Sequence, residues 1–86
     1  MQETTDDKII GELIRARRVE RRISQTALAE VIGVPQTIVS RIELGQRRLT
    51  VGELRLICDH LEASIVEFVA EYQERLRGGQ GVEPGN

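Results

Sequence analysis

QTALAEVIGVPQTIVSRI, residues 25–42, divides at Gly33 into two short segments, each carrying one apolar stripe. Leu28 and Ile32 lie one helical turn apart on the first segment, and Val39 and Ile42 nearly one turn apart on the second. Two stripes this short bury themselves only by facing each other. Ala29 falls where the segments cross most closely, and a longer side chain there would push them apart. Gly33 ends the first helix because a left-handed C-terminal residue costs glycine almost nothing. Val34 then plugs the corner beneath the turn. Each feature is weak alone; at fixed offsets within eighteen residues they specify a helix-turn-helix.

Placed at about a hundred degrees per residue, the second segment sorts into two faces. Ile38, Val39 and Ile42 fall on one side, and Gln36, Thr37, Ser40, Arg41 and Leu44 on the other. Gln pairs bidentately with adenine and Arg with guanine, while Ser or Thr offers a hydroxyl to several bases. Any exposed helix face can carry such residues. After this turn, the base-reading role is the favoured one for Gln36, Thr37, Ser40 and Arg41.

Working outward, 86 residues make one small domain with only just enough interior for a core. One Tyr, one Phe and no Trp require that core to be aliphatic, which suits a helical bundle. Cys58 is the lone cysteine, so no internal disulfide forms, and no N-terminal apolar run resembles a signal peptide or membrane span. The expected location is a reducing cytoplasm, in association with the nucleoid. The net charge of −2 argues at first sight against nucleic acid, but its distribution reverses that impression. Residues 1–14 carry Lys8 against four acids, net −3; residues 15–48 carry eight arginines against three acids, net +5; residues 49–86 carry three arginines against seven acids, net −4. A basic centre with acidic surroundings is the electrostatic footprint of a DNA-facing surface.

The remaining chain reads as helices. Thr5 or Asp6 caps a first helix running to about Arg21, with Ile10, Leu13 and Ile14 inward. Ile23 and Leu28 bracket Ser24 as a hydrophobic staple, making Ser24 the N-cap of the second helix. Thr50 with Glu53, and Ser64 with Glu67, form capping boxes for a fourth helix (Leu54, Ile57, Cys58 and Leu61 inward) and a fifth through Phe68, Val69, Tyr72 and Leu76. The expected organisation is a flexible N-terminus over residues 1–7, the domain over 8–76, and a disordered Gly- and Pro-containing tail over 77–86. No enzyme is expected. Cys58 and His60 sit two apart on one helix, where side chains diverge, and one Cys with one His cannot make the usual zinc site.

Ser24, Gln25, Thr26, Leu28 and Ala29, then Gly33 and Val34, then the run VSRIE at 39–43 with Gly45, Arg47 and Arg48, resemble the Xre/Cro-type repressor family, whose fold is that of lambda-type phage repressors. The resemblance covers residues 9–72. It implies an all-α, five-helix lambda-repressor-like domain that binds double-stranded DNA as a dimer, commonly to repress transcription, with the third helix in the major groove. It also implies roles: Gln36, Thr37 and Arg41 contact bases, with Ser40 next in line; Gln25 grips a phosphate, with Thr26 beside it. Arg18 and Glu43 match a structural ion pair, and Gln46, Arg47 and Arg48 lie in a loop that commonly meets phosphates. Four positions depart from the pattern: Arg22 where Gly is frequent, Ala27 where Glu often completes a capping box, Pro35 where Ser, Thr or Asp normally caps, and Leu44, apolar on the face assigned to DNA.

Ile65, Val69, Tyr72 and Leu76 form the expected two-fold interface, suited to a palindromic operator. No cofactor, metal, membrane or small-molecule ligand is expected. The alternatives are an antitoxin whose acidic fifth helix or tail clamps a basic toxin while the helix-turn-helix represses the shared operon, and a helical protein-interaction module that has lost DNA binding.

Overall fold

Helix α1 (Thr5–Glu20) carries Asp6 and Asp7 in its first turn and Arg17 and Arg18 in its last, so both ends complement the helix dipole. In the computed structural model, which describes residues 5–81, four more helices follow: α2 (Gln25–Ile32), α3 (Gln36–Glu43), α4 (Val51–His60) and α5 (Ile65–Gly81). The joints are local chemistry. Ser24 accepts a hydrogen bond from the Ala27 amide at the start of α2. Gly33 closes α2 at φ 73°, and Val34 donates back to the Ala29 carbonyl. Thr50 and Glu53 complete a reciprocal capping box at α4, and Ser64 accepts from the Glu67 amide at α5.

α2 packs across α3, α1 lies against both α3 and α5, and α4 bridges α2 and α5. Leu13, Ile14, Leu28, Ala29, Val39, Ile42, Ile57, Cys58, Leu61 and Phe68 meet in one buried core. It is aliphatic except for one ring and one thiol. Each large side chain buried there contributes about 1.5–3 kcal/mol of hydrophobic stabilisation. Burial pushes the Cys58 thiol up from its ordinary value, against the opposing field of Arg17.

α1 and α3 approach so closely that only glycine fits between them. A Cβ on Gly11 would overlap the Ile42 carbonyl oxygen and come within 2.6 Å of that of Glu43. Glycine inside a helix costs roughly 1 kcal/mol against alanine, and the contact with the last turn of α3 gives that cost a structural return. The turn from α1 to α2 is made by Arg22 at φ 60°. The turn keeps its usual shape: Ile23 donates to the Arg18 carbonyl at 3.0 Å and Arg22 to that of Val19 at 3.0 Å. The side chain simply occupies left-handed backbone, at a cost of about 1–2 kcal/mol.

The described helices reach into both segments expected at the termini. Residues 5–7 belong to α1, where the Tyr72 hydroxyl donates to the Asp6 carboxylate and ties the first turn to α5. At the other end α5 continues to Gly81. Glycines weaken a helix without clashing in it, and adding one residue to an existing helix is far easier than nucleating a new one. Residues 1–4 and 82–86 lie outside the described residues.

Candidate nucleic-acid interface

α3 presents its polar face to solvent because its apolar face is fixed against the core. Val39 and Ile42 are buried, Ile38 packs beside them, and Gln36, Thr37 and Arg41 are exposed, with Ser40 at the boundary. Pro35 precedes the helix at φ −64° and ψ 153° and makes no side-chain cap. Proline suits a helix start through its fixed φ, while the first amides of α3 keep no side-chain acceptor there. Leu44, at the far end of the same helix, is 57% exposed.

Beneath this face lies one connected polar network. Arg18 donates from Nε to Glu43 Oε2 at 2.6 Å and from Nη2 to Glu43 Oε1 at 3.0 Å, and its Nη1 reaches the Ile23 carbonyl at 2.9 Å. The Arg18 and Glu43 side chains are 11% and 3% exposed, so the pair is desolvated and depends on this full set of hydrogen bonds. Gln25 Nε2 donates to Glu43 Oε1 at 2.9 Å, and Gln36 Nε2 donates in turn to Gln25 Oε1. Gln25 and Gln36, residues with separate expected roles, are therefore joined. Thr26 is exposed beside them at the start of α2.

The loop after α3 divides its two arginines. Arg47 is held by the α4 capping box, donating from Nη1 to Glu53 Oε1 at 2.7 Å and from Nη2 to Oε2 at 3.2 Å. Arg47 and the Thr50 amide together draw the Glu53 carboxyl below its ordinary value of 4.5. Arg48 is the outward one, 79% exposed and 3.4 Å from Asp7, and Gln46 is exposed next to it. The eight arginines of residues 15–48 are thus not one free basic surface. Arg17 pairs with Glu71, and Arg21 with Glu62. Among the described residues, Arg15, Arg22 and Arg41 make no ion pair.

On α5 the four residues expected to pair two copies do not share one exposed strip. Phe68 is buried with Arg17 stacked 5.1 Å over its ring, and Tyr72 turns inward to Asp6. By accepting a hydrogen bond from that hydroxyl, Asp6 pushes the Tyr72 phenol up from its ordinary value. Ile65 and Leu76 are half-buried. The outward apolar face is instead a shallow groove of Ile65, Val66, Val69, Ala70 and Gln73, with Val66 75% and Val69 38% exposed. Val66, which the sequence reading left out, is its most open member.

Among the described residues no helix is long and apolar enough to cross a membrane, and no group of His, Cys, Asp and Glu is placed to hold a metal ion.

A family model described as helix-turn-helix matches residues 14–68. The uncharacterized HTH-type transcriptional regulator y4aM of Sinorhizobium fredii (strain NBRC 101917 / NGR234) is 37% identical over 76 residues, which are 87% of this chain and 53% of that protein. The chain thus spans about half the length of the curated relatives it matches. The wild-type restriction-modification controller protein C.Esp1396I is similar in structure, with a TM-score of 0.74 and 30% identity over 86% of this chain and 97% of that one. Its tetramer in complex with its natural 35 base-pair operator gives a TM-score of 0.71 at 30% identity, over 84% of this chain and 95% of that chain. The clp gene regulator ClgR from Corynebacterium glutamicum shares the fold, with a TM-score of 0.78 at 23% identity over 92% of this chain and 86% of that one. On the match across residues 14–68 and these relatives, the chain belongs to the Xre/Cro-like helix-turn-helix family.

Proposed function

We propose that this chain is a sequence-specific reader of double-stranded DNA that regulates transcription, acting as a homodimer on the nucleoid and repressing the promoters it occupies. The observation that carries the reading is the outward face of α3. Gln36, Thr37 and Arg41 stand exposed on a helix whose opposite side is locked into the core, so their reach into a major groove is set by packing. Gln25, Thr26, Gln46 and Arg48 surround that face as phosphate ligands that fix register, and Arg47 joins them by leaving Glu53. The groove on α5 is the pairing surface, with Val66 and Ala70 added to Ile65 and Val69. One domain of this size binds a half-site weakly, whereas two act on a palindrome together. The operator complex of the similar controller protein supports an oligomer on DNA.

The acidic C-terminal third offers little to a basic toxin, because Glu53, Asp59, Glu62, Glu71 and Glu74 each pair with an arginine of this same chain. Selection of bound duplexes from a random library tests the proposal. An enriched palindrome with half-sites about one helical turn apart supports it; absence of any enriched sequence refutes it.

A further inference from the structure

The hydrogen bonds beneath α3 run in one direction, and the donor and acceptor inventory of each group forces that direction. Both Glu43 oxygens receive Arg18, so the carboxylate can only accept from its next neighbour. Gln25 must therefore present its amide nitrogen to Glu43, which leaves its oxygen as the end that faces Gln36. Gln36 in turn must present nitrogen to Gln25. One N–H and the oxygen of Gln36 remain for DNA. That pair of groups complements adenine, which shows an acceptor at N7 and a donor at N6, and mismatches guanine, which shows acceptors at both N7 and O6.

Resting on the DNA-reading function above, we propose that Glu43 is a positioning residue for specificity: acting through Gln25, it fixes the amide polarity of Gln36 and thereby selects adenine over guanine at one base pair. Glu43 touches no base. It is 6% exposed and lies at the opposite end of α3 from Gln36. Its influence travels through two amides whose orientations are otherwise degenerate, because a free carboxamide can be turned over with little change in shape.

The substitution Glu43→Gln tests the direction of the relay. Its oxygen would accept from Arg18, and its nitrogen would donate to Gln25. Each following amide would then reverse, so that Gln36 faces the groove with both N–H groups, a match for the two acceptors of guanine. Library selection is run on wild type, Q36A, E43Q and Q25M, with circular dichroism recorded on each. Q36A identifies the base pair that Gln36 reads. At that pair wild type favours adenine over guanine by about 5- to 150-fold, the range that one bidentate contact gives. E43Q moves the preference there toward guanine and leaves the preferences set by Arg41 in place. Q25M interrupts the relay while both Arg18 to Glu43 bonds stay in place; overall affinity falls with the lost phosphate contact, and base preference flattens at the Gln36 pair alone. If E43Q does not fold, Q25M carries the test. A folded E43Q or Q25M that keeps the wild-type adenine preference overturns the relay, as does a wild-type site with no adenine at the Gln36 position. A wild type that enriches no sequence overturns the DNA-reading function itself, so the two failures are distinct.

Discussion

Arg41 and Arg48 are both exposed, yet their surroundings differ. Arg41 stands on the outward face of α3 without an ion pair among the described residues, whereas Arg48 sits on the loop beyond α3 and leans on Asp7. Arg41→Ala should relax preference at one base pair and cost about 1–3 kcal/mol on the selected site only. Arg48→Ala should weaken selected and random duplexes alike and reduce the salt slope by about one. Equal losses on both duplexes for both variants, measured by fluorescence anisotropy, would contradict that division. Arg18 is different again, since its partner stays buried when it is cut away. Arg18→Ala should lower stability by about 3–5 kcal/mol in urea unfolding, and a loss under 1 kcal/mol would show that Glu43 finds other partners. At this scale the sequence was informative where chemistry is local or pairwise. Ser24, Gly33 and the Arg18 with Glu43 pair were each readable from residue type and spacing or from the family resemblance. The bond from Gln25 to Glu43 was not, because it depends on the angle at which α2 crosses α3. Gly11 went unread for a similar reason: a glycine in a helix shows what the backbone tolerates, not which neighbouring carbonyl demands it.

Caps and turns decide where each helix begins and ends. Arg22 holds left-handed backbone at φ 60° and makes no ion pair among the described residues, so Arg22→Gly should raise stability by about 0.5–1 kcal/mol. An unchanged or lower unfolding midpoint would mean that the side chain contributes packing that offsets the strain. At α4 the capping box and Arg47 hold Glu53 below its ordinary value of 4.5. A carboxylate depressed by folding adds stability above its unfolded value, and that stability is lost as the pH falls through the lower folded value. Thermal unfolding of wild type and Glu53→Gln should therefore converge as the pH drops below 4.5 and separate above it. A constant gap across that window would remove Glu53 as the titrating group. Helix α5 shows the limit of reading an element from periodicity. The stripe through residues 65, 69, 72 and 76 is apolar, but Phe68 and Tyr72 face the body of the molecule, and this turns the helix so that Val66 and Ala70 face out. Periodicity locates an apolar stripe; only the partners of its aromatic members show which part is covered.

For the molecule as a whole, charge counted along the sequence and charge available at the surface differ. A segment with net +5 folds so that Arg17, Arg18, Arg21 and Arg47 are neutralised by acids of this chain, leaving Arg15, Arg22 and Arg41 without an ion pair among the described residues and Arg48 largely exposed. Net charge by segment locates the basic part of the chain, and the pairing narrows which of its arginines are free to meet a partner. The proposed dimerisation through α5 belongs to the same scale. Val66→Asp should yield a monomer by analytical ultracentrifugation and reduce affinity for a palindromic duplex on the order of a hundredfold, since linked half-sites gain that much from being bound together. A dimeric Val66→Asp variant would place the pairing surface elsewhere. The central claim, that the face of α3 reads sequence within an electrostatic grip, is tested most directly by titrating the selected duplex and a scrambled one at 50 and 200 mM salt. The account predicts that both affinities fall steeply with salt while the selected site stays tighter by about a thousandfold or more; equal binding of the two duplexes, or binding of neither, would contradict it.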